Sequence, residues 1–208
     1  MNRKPKIAIL ISSTRDARFG ARAADWLLQH ARQRSDMDFE LVDLKDFDLP
    51  LFNEKASNLW APSEDPRAIA WQQKIAEFDG YVVVTAEYNH SITGALKNAF
   101  DQAYVEWKHK PIGFFGYGGV GAARAIEHAR LIAVELHMVP VRTATHIAGG
   151  DFFSVVMNGA PMDSIAAHIA PSTTEMLDQV AWWARATLAA RGAESAKAAE
   201  VEAEVATA

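Results

Sequence analysis

The chain has 208 residues, half of them apolar and 23% charged, with 12 glycines, 8 prolines and no cysteine. That composition excludes collagen-like and disordered polymers, and the missing cysteine excludes disulfide frameworks, thiolate nucleophiles and iron–sulfur sites. A net charge of −5 speaks against nucleic acid as a partner, which calls for a basic surface. No apolar run approaches the roughly 20 residues that cross a bilayer. The run after the basic start Met1–Lys6 is too short for a signal peptide. The expectation is a cytoplasmic protein that binds neither nucleic acid nor membrane.

In chain order, Ile7–Ile11 is an apolar run whose near-unbroken hydrophobicity predicts a strand buried on both faces. Residues 21–33 follow as a helix, with Ala24, Leu27, Leu28 and Ala31 at helical spacing. Phe39–Leu44 alternates as a second strand, and 45–63, with Pro50, Asn53 and Pro62, reads as a long loop. Pro66 opens a helix to Phe78, at a position where a missing N–H does no harm. A β-branched strand spans Tyr81–Thr85, then a helix Thr93–Trp107, a strand Pro111–Phe115, a helix Ala122–Leu136 and a short strand Val139–Thr143. Residues 146–170 read as irregular, and 171–191 as a closing helix opened by Pro171-Ser172. Five strand–helix alternations with crossover-length connections predict an α/β doubly wound sandwich on a parallel sheet. Residues 1–191 form one domain in this reading, and the Ala/Glu-rich tail 192–208 is expected to be frayed or disordered.

In such a sheet, ligands bind beyond the carboxyl ends of the strands. Three loops there carry unusual sequences. After the first strand, Ser12-Ser13-Thr14-Arg15-Asp16-Ala17-Arg18-Phe19-Gly20 offers hydroxyls, two arginines and a helix start, the ingredients of a phosphate pocket. It lacks the G-x-x-x-x-G-K-[ST] pattern of a nucleoside triphosphatase. After the third strand, Glu87-Tyr88-Asn89-His90 can present polar edges and a ring to a planar heterocycle. After the fourth, Gly116-Tyr117-Gly118-Gly119-Val120-Gly121 is a literal G-x-G-x-x-G. A dinucleotide fingerprint belongs after a first strand with an acid about 20 residues on, and Val139–Thr143 offers only Arg142. The glycines are better read as letting backbone approach a flat ligand. The seven histidines show no metal-ligand spacing, and no metal is expected. Trp60, Trp71 and Trp107 flank these loops and are expected to line a subunit contact.

Together the loops resemble the NADPH-dependent FMN reductase family of flavodoxin-like proteins, which includes quinone, chromate and azo reductases. Ser13-Thr14-Arg15 with Arg18 and Gly20 is similar to the family's G-S-x-R phosphate loop. Glu87-Tyr88-Asn89-His90-Ser91 through Gly94-Ala95-Leu96-Lys97-Asn98-Ala99-Phe100-Asp101 is similar to its P-E-Y-N-x-S-x-x-G-x-L-K-N-A-x-D signature. Ser12 stands where the family usually has Gly, and Ala86 where it has Pro. The resemblance implies a flavodoxin-like three-layer sandwich with strand order 2-1-3-4-5. It implies bound FMN, with the phosphate on Ser13, Arg15, Arg18 and the amides near Phe19 and Gly20. The ring would lie along Glu87, Tyr88, Asn89 and His90, beside the backbone of Gly116, Tyr117, Gly118 and Gly119. NADPH or NADH would be the donor and a small molecule the acceptor, by ping-pong, in a homodimer or homotetramer with no catalytic side chain. The alternatives are a flavodoxin-like electron carrier without nucleotide turnover and a flavin-free nucleotide binder using Gly116–Gly121.

Overall fold

The apolar runs pair as five parallel strands, and the computed structural model describes residues 3–207. The strands are β1 (Lys6–Ile11), β2 (Asp38–Asp43), β3 (Gly80–Ala86), β4 (Pro111–Tyr117) and β5 (Val139–Ile147). They lie in the order β2-β1-β3-β4-β5, every pair parallel. The helices are α1 (Gly20–Ala31), α2 (Pro66–Ala76), α3 (Gly94–Asp101), α4 (Ala123–Glu135), the single turn α5 (Gly149–Phe152) and α6 (Ala166–Thr207).

Strand side chains alternate between faces, and here both faces are covered. Ile7, Ile9, Ile11, Val82, Val84 and Phe115 join α1 and α6 residues such as Leu27 and Leu177 in one core. Ala8, Leu10, Tyr81, Val83, Ile112 and Phe114 join α2, α3 and α4 residues such as Ile75, Leu96 and Ile126 in the other. Two-sided burial is why β3 and β4 show no polar alternation, being buried along their whole length.

Several boundaries differ from the sequence expectation. β5 runs four residues past Thr143, because the polar Thr145 is satisfied in the interior by the Thr173 hydroxyl, 3.0 Å away. Most of 146–170 is ordered as short helical turns at Gly149–Phe152, Phe153–Met157 and Met162–Ile165. α6 begins before Pro171, which sits inside it, while the Ser172 and Thr173 hydroxyls donate to the Ile169 carbonyl. The helix continues to Thr207, where composition suggested a frayed or disordered end. Alanine, glutamate and lysine are strong helix formers, and that stretch has no proline to stop the helix.

The tryptophans are also redistributed. Trp71 and Trp107 are fully buried, 6.0 Å apart in an edge-to-face cluster with Tyr81 and Phe100. They pack the α2/α3 side of the core and line no surface. Trp60 alone of the three is exposed.

Candidate functional site

β1 pairs with β2 on one side and β3 on the other, so the chain reverses direction across the sheet at β1. The crevice beyond the carboxyl ends of β1 and β3 is therefore the expected ligand position. The loops leaving β1, β3 and β4 meet there.

The β1–α1 loop holds its shape through internal pairing. Arg18 forms a two-pronged ion pair with Asp43, at the end of β2, and donates to the Ser13 carbonyl at 3.0 Å. Both side chains are mostly buried. Arg18 is thus placed as a brace for the loop and not as an open anion ligand. Asp43 escaped the sequence reading, although its register partner Ile11, one residue before the loop, pointed to it. Arg15, by contrast, makes no ion pair among the described residues. Its guanidinium lies beside the Tyr88 hydroxyl, which holds it above its ordinary value.

Phe19, at the N-cap of α1, provides no side-chain cap. The first amides of a helix need partners, and the dipole makes that end attractive to anions. Phe19 meets the Tyr117 ring edge-on at 5.2 Å. Gly20 lets the helix start lie close against Tyr117, since a Cβ there would stand 2.9 Å from the Tyr117 hydroxyl. Burial pushes that hydroxyl up to about 12, and Tyr88 adds to the rise, while the Ser13 hydroxyl and the Gly20 amide act against it. Ser13 Oγ lies 3.2 Å from Tyr88 Oη. Ser13, Arg15, Gly20, Tyr88 and Tyr117, drawn from three loops, therefore surround one point at the mouth of α1.

The β3–α3 loop forms a two-residue hairpin. Tyr88 N–H donates to the Ser91 carbonyl at 2.9 Å, and Ser91 N–H returns to Tyr88 at 3.0 Å. Asn89 (φ 52°) and His90 (φ 69°) both take the left-handed conformation and are exposed at the tip. Thr93 caps α3 by accepting from Leu96 N–H, and it donates to the Ser12 carbonyl at 3.1 Å, tying this loop to the first. Glu87 is engaged by α4. It pairs with the Arg124 guanidinium and accepts from Arg124 N–H at 3.1 Å. Burial alone would raise its carboxyl, but Arg124 and the first amides of α4 outweigh that and hold it below the usual range. Glu87 thus anchors the loop to α4.

In the third loop, Gly116 is packed so tightly that a Cβ would lie 2.3 Å from the Gly121 carbonyl. Gly118 (φ 142°) takes a conformation suited to glycine. Gly119 is exposed with open space around it. Its carbonyl accepts from Gly149 N–H at 3.1 Å, which brings residues 149–161 alongside. Arg22, in the first turn of α1, donates to the carbonyls of Val155 and Ala160 at 3.0 and 2.9 Å, so this segment forms a further wall. Arg22 was not visible as a site element in the sequence, because its contacts lie more than 130 residues apart in the chain.

A parallel sheet of this order, with an uncapped helix start and glycine backbone at its switch point, defines a flavodoxin-like phosphate- and ring-binding protein. A profile of the NADPH-dependent FMN reductase family matches residues 5–152, and the chain belongs to that family. It is an oxidoreductase that uses NAD(P)H and FMN. Among relatives, an NAD(P)H-dependent FMN reductase of a Nectria species is 30% identical over 164 residues, 74% of this chain and 82% of the relative. A 2-hydroxy-1,4-benzoquinone reductase of a Burkholderia species is 36% identical over 142 residues, 64% of this chain and 73% of the relative. Among solved structures, the NAD(P)H:acceptor oxidoreductase FerB of Paracoccus denitrificans superimposes with a TM-score of 0.66 at 24% identity. That match covers 85% of this chain and 97% of FerB.

The residues fit FMN. A phosphate needs amide donors and a cation, and the uncapped α1 start, Ser13 and the unpaired Arg15 provide them. A flat ring needs a wall and close backbone, which Tyr88–His90 and Gly118–Gly119 provide. No helix among the described residues is long and apolar enough to cross a membrane.

Proposed function

We propose that this protein is an FMN-dependent NAD(P)H oxidoreductase that reduces a small acceptor of the quinone type by a ping-pong cycle. The observation that carries this reading is the convergence of Ser13, Arg15, Gly20, Tyr88 and Tyr117 at an uncapped helix start on the switch-point edge of the sheet. FMN, once bound, would supply two-electron redox chemistry between NAD(P)H and the acceptor. Arg15 and the first amides of α1 neutralise the phosphate, and Ser13 and Tyr88 orient it by hydrogen bonding. The Asn89–His90 turn and the Gly118–Gly119 backbone frame the ring, with amide dipoles that favour negative charge on it. Arg18 and Glu87 act indirectly, through Asp43 and Arg124, by holding the loops that carry these groups.

The quinone class is supported by the Burkholderia relative, a 2-hydroxy-1,4-benzoquinone reductase. A homodimer or homotetramer is supported by Leu131 and Val134, apolar α4 side chains that are 73% and 60% exposed. The deciding experiment is an anaerobic titration of the FMN-loaded protein with NADPH and NADH, followed by a benzoquinone. Bleaching of the flavin by nucleotide and rapid recovery on quinone are expected. A flavin that nucleotide does not bleach, but that a protein donor reduces, would make this an electron carrier.

A further inference from the structure

The β3–α3 hairpin contains a residue that its backbone does not favour. A two-residue loop with both central residues at positive φ is built best by Asn-Gly, because glycine adopts that conformation without a steric penalty. Here the pair is Asn89-His90, at φ 52° and 69°, with the turn closed by both Tyr88–Ser91 hydrogen bonds. The imidazole does not stabilise the turn in return. It is exposed and has no hydrogen-bond partner among the described residues. Strain retained at a site mouth, with no contact to compensate it, is the pattern of a side chain kept for its chemistry.

We infer that His90 is the proton donor to the reduced acceptor, a catalytic role that rests on the oxidoreductase reading above. Converting a quinone to a hydroquinone takes two electrons and two protons. One hydride, originating in NAD(P)H, brings both electrons and one proton and leaves an oxyanion on the acceptor. The N–H bond of the His90 imidazolium breaks to give that oxyanion its second proton, and the neutral ring reloads from water. An exposed imidazole on a tight turn beside the crevice suits this task, since His is the side chain that most readily exchanges a proton near neutrality.

The test compares FMN-loaded wild type, His90→Gln and His90→Gly with two acceptors. Benzoquinone needs the proton, and ferricyanide takes single electrons without one. The expected result is a quinone-to-ferricyanide turnover ratio that falls by about tenfold or more in both variants. Free imidazole in the buffer restores the quinone rate of His90→Gly. Independently of activity, the flavin-free His90→Gly protein unfolds about 2–4 °C higher than wild type, because the turn is relieved. A ratio equal to that of wild type, no rescue by imidazole, or a lower unfolding midpoint for His90→Gly would each overturn the proposal. Wild type that turns over neither acceptor would refute the oxidoreductase reading, and the donor role with it.

Discussion

Gly116→Ala places one methyl group in a space the backbone already fills. Its Cβ would stand 2.3 Å from the Gly121 carbonyl oxygen, 2.9 Å from Ile126 Cδ1 and 3.0 Å from Ala122 Cβ. An ordinary carbon–oxygen contact is about 3.4 Å, so the carbonyl must retreat by about 1 Å. It cannot do so freely, because the same oxygen accepts from His146 Nδ1 at 2.8 Å. Overpacking of this kind costs about 1–3 kcal/mol. At about 2–4 °C per kcal/mol for a domain of this size, the unfolding midpoint should fall by about 2–12 °C. Gly119→Ala is the control. Its methyl group meets nothing within 4 Å, so the midpoint should hold. Thermal unfolding by circular dichroism measures both. A Gly116→Ala protein that melts with wild type would refute the steric account of the glycine-rich loop.

The remaining expectations concern the loops and the opposite end of the sheet. Arg15→Ala should weaken FMN more than riboflavin in fluorescence titrations, since only FMN carries the phosphate; equal weakening would remove Arg15 from the phosphate site. Asp43→Ala leaves the mostly buried Arg18 unpaired and should cost about 2–4 kcal/mol in urea unfolding. Asp16→Ala, which breaks only the exposed pair with Lys45, should cost little, and equal losses would contradict the bracing role. Burial lowers the Lys110 ammonium to about 8, where its partners are Tyr81 Oη at 3.2 Å and the Ile75 and Ala76 carbonyls at 3.4 Å. Its folded value lies below the unfolded one of about 10.4, so the charged form opposes folding at neutral pH. Wild type should therefore gain stability relative to Lys110→Met as pH rises from about 8 to 10. Parallel curves for the two proteins in that window would rule this out.

Local patterning made much of this molecule legible. Apolar runs between helical periods marked β1, β3 and β4, because strands covered on both faces tolerate no polar alternation, while β2, at the edge of the sheet, was marked by alternation and β5 by a short run after α4. Turn and cap chemistry placed the site loops at the carboxyl ends of β1, β3 and β4, and the signature from Glu87 to Asp101 pointed to the family that the profile match establishes. What the residues would touch was a different matter. Arg15 and Arg18 look alike in sequence, yet one is open and the other is held by Asp43, a choice made by the β1–β2 register. Glu87 belongs to the signature but pairs with Arg124, brought near by the β4–α4 crossover. Trp71 and Trp107 were indistinguishable from surface aromatics until α2 and α3 packed them against Tyr81. The wall at 149–161 depends on Arg22 reaching carbonyls more than 130 residues away. Periodicity is a property of neighbours along the chain, so sequence alone determined the elements and the edge of the sheet that carries the site. Charge pairing and burial depend on distance in space, and only the tertiary structure decided which of those residues remain free to meet a ligand.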